Sequence, residues 1–326
     1  MEASRLAVRV PRTRAEEVRR MLLRQGLYDG SRSIVESGDS VLMPVLGYPQ
    51  IGFEVVEADL PASKRPRPVS MRAAFDIVGD IAVLNDMDLS PEKAHELALE
   101  IVGRHRRVRT VLQKTAEVSG EERVASYRVV YGEADTETVH RESGCLFKLD
   151  VARTFFSPRL SGERLRVASQ VGEGETVLDM FAGVGPFSII IARRNPSATV
   201  YAVEKNPAAF KYLCENIELN KLRGRVKPFQ GDAAQTVPAL DTNFNRIIMN
   251  LPHSSTKYLP AAVEKAAEKA TIHLYVVEDR KTPGSARQAV ESSLRNLQIV
   301  GERTVKEVSP KALMRVYDIK VGGSSL

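Results

Sequence analysis

Apolar and polar positions alternate at "RLAVRV", residues 5–10. The period then lengthens to that of a helix over "TRAEEVRRMLLRQ", residues 13–25, closed by Gly26, and a strand-like run returns at "SVLMPV". These elements predict a small module of their own. The segment "PASKRPRPVS", residues 61–70, carries three prolines and three basic residues and predicts a linker. Beyond it, "FDIVGDIAVL" predicts a strand and Ser90-Pro91 a capped helix start. Further strands are expected around "RVRTVLQK", "ASYRVVYG" and "TETVHRESGCLFKLD", which makes a mixed α+β module. From about residue 151, strands and helices alternate through "TVLDM", "FSIIIARR", "TVYAVE", "AAFKYLCENIELN", "VKPFQG", "RIIMN", "YLPAAVEKAAEK", "IHLYVV" and "ARQAVESSLRN". That order predicts an α/β fold, a mostly parallel doubly wound sheet with helices on both faces. A terminal antiparallel pair, "LQIVGERTVKE" and "LMRVYDIKV", follows it. The expected domains are 1–62, 63–150 and 151–326.

Composition narrows the function classes. A chain of 326 residues, 43% hydrophobic and 27% charged, can bury a substantial core. Its first twenty residues are charged where a secretory leader needs an apolar stretch, and no apolar run approaches a membrane span, so a cytoplasmic protein is expected. Cys145 and Cys214 lack metal-ligand spacing, so neither a zinc site nor a disulfide framework is indicated, and both are expected to be plain buried thiols. The net charge of +6 and a pI near 9.3 make a polyanionic partner plausible. Basic residues cluster at Arg104, Arg106, Arg107 and Arg109, in the linker at Lys64, Arg65 and Arg67, and along the first helix at Arg12, Arg14, Arg19, Arg20 and Arg24. Each cluster alone reads as a solvated face.

The candidate chemistry sits at strand ends. In "VLDMFAGVGPFS", Asp179 ends a strand and Gly183-x-Gly185 lets a ligand approach the backbone before the next helix. The dinucleotide fingerprint wants Gly or Ala three residues after the second glycine, and Ser188 stands there, which disfavours a pyrophosphate cradle. Glu204 ends the second strand, where a ribose diol is held in such folds, Asp232 follows the third, and Asn250 of "RIIMNLPHSST" follows the fourth. Any one of them alone reads as a solvated strand end. Four in succession mark the ligand edge of an open α/β sheet.

The glycine turn, the Glu204 position and the terminal hairpin resemble the class I S-adenosyl-L-methionine methyltransferase sheet. Under that resemblance Asp179 lies near the amino-acid half of the cofactor, Glu204 at the ribose and Asp232 at the adenine amino group. The enzymes of this class that act on exocyclic amines carry an aromatic residue after Asn-Pro-Pro, whereas this chain has Asn250-Leu251-Pro252-His253, which suggests a different nitrogen. Together with "DMFAGVGPFS" and "FKLDVARTFFSPRLSGER", residues 147–164, the chain resembles the archaeal and eukaryotic tRNA (guanine-N1-)-methyltransferase family acting on the guanosine 3′ of the anticodon, position 37, in its archaeal three-domain form.

That family resemblance implies tRNA as partner, gripped at its elbow by the N-terminal module; no protein partner is indicated, and a monomer is expected. It implies Glu163 as base, Arg123 as the cation at guanine O6, and Asn250 and Pro252 at the base edge. It also implies a cofactor set of Phe155, Arg159, Asp179, Phe181, Gly183, Gly185, Glu204, Asp232 and Asn250. Without the motif, Glu163 reads as a helix-surface ion pair with Arg159 or Arg166, and Arg123 as a solvated loop charge. Two departures are visible: Phe155 stands where some relatives have tyrosine, and the ribose acid is Glu204 rather than Asp. The rival readings are a wybutosine-pathway transferase that moves an aminocarboxypropyl group or methylates a tricyclic guanosine, a Rossmann oxidoreductase, and a non-catalytic tRNA-binding protein.

Overall fold

The computed structural model describes residues 6–25, 27–29, 32–61, 75–116, 126–282, 284, 287, 288, 290, 291 and 297–322. Arg123, Gly26, the linker after Pro61 and most of "ARQAVESSLRN" lie outside them. The chain forms two compact units, Met1–Arg72 and Ala73–Leu326.

In the first unit, strands β1 (Leu6–Pro11), β2 (Val35–Ser37), β3 (Ser40–Val45) and β4 (Val55–Glu57) form an antiparallel sheet in the order β2-β3-β1-β4. Helix α1 (Ala15–Arg24) follows a 3-10 turn at Arg12–Arg14 and buries Val18 and Leu22 with Val8, Val10, Met43 and Val45. The basic face predicted for this helix is partly answered by acids. Arg14 pairs with Glu17, Arg19 and Arg20 with Glu16, and Arg12 with Glu36, all at the surface.

The second unit begins with β5 (Phe75–Val78), β6 (Ile81–Leu84), α2 (Pro91–Arg104), β7 (Thr110–Lys114) and β8 (Tyr127–Tyr131), a sheet in the order β5-β6-β7-β8 that buries Leu84 and Val111 with Leu97 and Ile101 of α2. Ser90 caps α2, its hydroxyl accepting from the Lys93 amide. The expected single strand over "FDIVGDIAVL" is two antiparallel strands. Gly79 turns the chain with φ +60°, and a Cβ there would lie 2.0 Å from Oγ1 of Thr138. Arg109, counted in a basic cluster that reads as a solvated face, is tied down instead by Asp80 and by the Glu137 carbonyl.

A hairpin of β9 (Glu137–Glu142) and β10 (Cys145–Asp150) is held along its outer edge by two asparagines one helical turn apart. Asn216 accepts from the Lys148 amide at 2.7 Å and donates to the Lys148 carbonyl at 2.9 Å. Asn220 does the same to Leu146, at 2.9 and 2.7 Å. Two side-chain amides thereby take the place of a neighbouring strand, satisfying the free edge of β10. The prediction of plain buried thiols holds for Cys145, whereas Cys214 is half-buried.

The rest is α3 (Ser161–Gln170), β11 (Thr176–Asp179), α4 (Pro186–Arg194), β12 (Thr199–Glu204), α5 (Pro207–Leu219), β13 (Val226–Gln230), α6 (Ala233–Thr236), β14 (Phe244–Met249), α7 (Leu259–Glu264), β15 (Ala266–Asp279), β16 (Leu297–Ser309) and β17 (Ala312–Val321). The seven strands run β13-β12-β11-β14-β15-β17-β16, parallel as far as β15, with β17 antiparallel to both neighbours. Apolar clusters cover both faces, one with residues of α3, α4 and α5, the other with residues of α6 and α7. The helix expected over "YLPAAVEKAAEK" ends at Glu264. Ala266 pairs with Phe244, and Lys269 takes a left-handed φ of 62°, so strand pairing outweighs the helical propensity of "EKAAEK".

The asparagine ladder generates a test. Asn216→Ala leaves the Lys148 amide and carbonyl without their partner, and the conformational stability is expected to fall by about 2–4 kcal/mol. Urea unfolding followed at two probes checks it; an unchanged midpoint means that water replaces the side chain at no cost.

Candidate active site

The four predicted strand-end residues share one edge. Asp179, Glu204, Asp232 and Asn250 lie at or just beyond the carboxyl ends of β11, β12, β13 and β14, four adjacent parallel strands. Asp179 is fully buried, and Ser188 of α4 donates to its Oδ2 at 2.7 Å. Burial pushes its carboxyl up to about 7, against the Ser188 hydroxyl and nearby Phe181 amide that pull it back, with Glu204 adding repulsion. Its Oδ1 is buried without a well-formed hydrogen bond among the described residues.

Glu204 accepts from the Gly183 amide at 2.6 Å and the Asn206 amide at 2.7 Å, which fixes the glycine turn to the neighbouring strand. A carboxylate oxygen accepts more than one hydrogen bond, so this anchoring is compatible with a ribose diol. The two glycines have different work. A Cβ on Gly183, at φ +58°, would meet nothing nearer than the Phe155 carbonyl at 3.8 Å, whereas one on Gly185, at φ +90°, would strike Cδ1 of Leu213 at 2.6 Å. Gly183 therefore borders open space for a ligand and Gly185 permits close helix packing. Asp232 caps α6 by accepting from the Ala234 amide and pairs with Lys205, contacts that hold its carboxyl below the usual range. Phe181 is half-buried, edge-on to Tyr258 with ring centroids 5.0 Å apart.

The turn after β14 is held by a residue that sequence reasoning passed over. Ser255, buried, donates to the Met249 carbonyl at 2.9 Å and receives the Leu251 amide at 3.1 Å. The carbonyl of buried Pro252 accepts from Val277 of β15 at 2.9 Å. Asn250 and Pro252 thus sit in a loop fixed at both ends. The serine pair in "HSST" was the available signal.

Glu163, in the first turn of α3, is only 3% exposed. Its Oε1 accepts from Tyr275 Oη at 2.7 Å and from Nε and Nη2 of Arg166 at 2.9 and 2.7 Å. Nη1 of Arg303 lies 3.2 Å from Oε2, an ion pair without a formed hydrogen bond. The ion pair expected for an isolated Glu163 therefore exists with Arg166, but it is buried. Arg159 is not its partner: it reaches Asp76 at 2.7 Å. Arg164 turns the other way, to Glu142 at 2.5 Å and the Ser157 carbonyl at 2.8 Å, with its guanidinium over Phe156.

Such an edge fits S-adenosylmethionine: a buried Asp179 oxygen without a formed hydrogen bond, an open glycine turn and a carboxylate, Glu204, at the end of the next strand. The fold is that of a Rossmann-like class I methyltransferase. The sequence pattern of the TRM5/TYW2 methyltransferase domain matches residues 138–300, that of the tRNA methyltransferase 5 N-terminal domain residues 7–50, and that of the TYW2 N-terminal domain residues 59–136. The chain is 37% identical to the tRNA (guanine(37)-N(1))-methyltransferase Trm5b of Pyrococcus abyssi over 97% of this chain and 99% of that one. It is 37% identical to the tRNA 4-demethylwyosine(37)-methyltransferase Taw21 of Saccharolobus solfataricus, over 76% of this chain and 93% of that one. A Trm5 solved in complex with tRNALeu superposes with a TM-score of 0.71, at 28% identity, over 97% of this chain and 100% of that one. The chain belongs to the TRM5/TYW2 methyltransferase family.

The buried Asp179 generates a pH prediction. Its carboxyl, raised in the folded state, is released near the ordinary value on unfolding, so this group costs stability increasingly as pH rises from about 4 to 7. Asp179→Asn has no such cost. Its stability relative to wild type is expected to improve by roughly 2–3 kcal/mol between pH 5 and pH 8, read from denaturant midpoints at the two pH values. A difference independent of pH would place the ionisation of Asp179 outside this window.

Proposed function

We propose that the protein is an S-adenosyl-L-methionine-dependent tRNA (guanine(37)-N1)-methyltransferase, acting in the cytoplasm as a monomer. The observation that carries the chemistry is Glu163, a buried carboxylate held against Tyr275 on the strand next to the one that leads into Asn250. N1 of guanine bears a proton at neutral pH, so its attack on a methyl group requires a base for that proton and a cation for the charge that develops on O6. S-adenosylmethionine, when bound, supplies the electrophilic sulfonium methyl.

In this reading Glu163 takes the N1 proton and Arg123, assigned by motif alone, answers O6. Asn250 and Pro252, locked by Ser255 and Val277, hold the base edge. Asp179 faces the cofactor's amino-acid end, Glu204 its ribose and Asp232 its adenine, with Phe155, Arg159, Phe181, Gly183 and Gly185 completing the pocket. The three-domain division at 62 and 150 gives the N-terminal module a tRNA-gripping role. The likeness to Taw21, over three quarters of this chain, favours methylation of a tricyclic guanosine as the second reading. Mass spectrometry of digested tRNA separates the two, because the first adds its methyl to guanosine itself.

Glu163→Gln is expected to retain tRNA and cofactor binding and to lose about 10²–10⁴-fold in single-turnover rate. Wild-type rate would return Glu163 to the role of an ion-pair partner. Asn250→Ala is expected to lose rate to a similar extent with the fold intact. Removing residues 1 to about 62 should weaken tRNA affinity and flatten its dependence on salt while cofactor affinity stays unchanged. Titrations at two salt concentrations read this, and an unaltered tRNA slope rejects the gripping role.

A further inference from the structure

The seven-stranded sheet brings Tyr275 to the level of Asn250. Met249 of β14 lies opposite Leu274 of β15, so the next positions, Asn250 and Tyr275, are neighbours. Ile248 and Tyr275 belong to the cluster on the α3 side of the sheet, Met249 and Leu274 to the opposite cluster. Strand alternation therefore carries Asn250 toward the same side as Tyr275 and Glu163.

Tyr275 is wholly buried beside Phe187, and its hydroxyl donates to Oε1 of Glu163. Burial and the adjacent carboxylate hold the phenol well above its ordinary pKa, so it remains a donor. Arg166 supplies two further N–H groups to the same oxygen. Arg166 is itself gripped by both oxygens of Asp318, at 2.6 and 3.1 Å. Asp318 takes Nδ1–H of His273 at 2.6 Å, and Nε2 of His273 accepts from Arg246, which pairs with Glu175. Among the described residues, the charged or titratable groups facing the Glu163 carboxylate are Arg166 of α3, Tyr275 of β15 and Arg303 of β16, with Asp318 of β17 behind Arg166. Three donors converge on Oε1. Oε2 is buried, has no formed hydrogen bond and lies 3.2 Å from Nη1 of the half-exposed Arg303, which ion-pairs with it.

We propose that Tyr275 is a positioning residue: with Arg166 it immobilises Oε1 of Glu163 and leaves Oε2 as the oxygen that accepts the guanine N1 proton. The proposal rests on the reading of Glu163 as base. Tyr275 touches neither substrate nor cofactor in this role. A donor to one carboxylate oxygen stabilises the ionised form and fixes the rotamer, so its loss favours the protonated acid and loosens the aim of Oε2.

The test uses the full-length chain, with single-turnover tRNA methylation followed against pH at saturating tRNA and S-adenosylmethionine. Tyr275→Phe keeps the ring and removes the hydroxyl. The expected result is a rate lower by roughly tenfold at neutral pH, an acidic limb displaced to higher pH, and unchanged affinities for tRNA and cofactor. In a Glu163→Gln background the same substitution is expected to add no further loss, because it acts through a carboxylate that is no longer there. Arg166→Gln removes the other two donors while keeping the tyrosine and is expected to move the limb in the same direction; it serves as the independent arm should Tyr275→Phe fail to fold. A wild-type rate and limb in Tyr275→Phe, beside a slow Glu163→Gln, overturns the proposal and leaves the base assignment standing. A wild-type rate in Glu163→Gln overturns both. Equal losses from Tyr275→Phe with and without Glu163 overturn the proposal in favour of a packing role.

Discussion

A carboxylate as buried as Glu163 is tolerated only if donors answer its charge, since moving an uncompensated ion out of water costs several kcal/mol. Each answer here creates a further demand. Arg166 neutralises Glu163 and must itself be held, which Asp318 does. Burial alone would raise the Asp318 carboxyl, but hydrogen bonds from His273 and Arg166 hold it well below the usual range. His273 is fully buried, and desolvation, helped by Arg246 and Arg166, lowers its pKa against the opposing pull of Asp318. The sequence of partners ends at Glu175, which is partly exposed. It runs from α3 through β17, β15 and β14 to the turn before β11, so the location of one carboxylate depends on the strand order of the whole sheet.

The same segment is tied on its other side by unlike means. Arg164, one residue after Glu163, points to Glu142 of the β9–β10 hairpin and to the Ser157 carbonyl, and Phe156 lies against its guanidinium. The hairpin is in turn registered on α5 by Asn216 and Asn220. "FSPRLSGER" is therefore held from two sides, with adjacent residues serving opposite sides. Glu163 and Arg164 are close in sequence and diverge in space because successive helical positions are about 100° apart.

Much of this architecture could be read from residue order. The alternation of apolar strands and helices after residue 151, the terminal antiparallel pair and the polar residues at four strand ends all reappear in the sheet and its carboxyl edge. The errors were local and had tertiary causes. "EKAAEK" has good helix formers but is drawn into β15 by pairing with β14, and "FDIVGDIAVL" breaks where Gly79 must pass against Thr138. Arg109 reads as a free charge in a basic run, yet it is bound to Asp80 and the Glu137 carbonyl.

The sequence by itself determined the strand-end residues, because side-chain period and turn chemistry are local properties that short windows express. It also determined the family, through motifs that stand within a few residues of one another. Only the tertiary structure decided that Ser188 donates to Asp179, that Ser255 locks the Asn250 turn, and that Tyr275, 112 residues from Glu163, shares an oxygen with Arg166. Those partners are chosen by which strands lie side by side, and strand adjacency follows from the packing of the whole sheet, which no local pattern encodes.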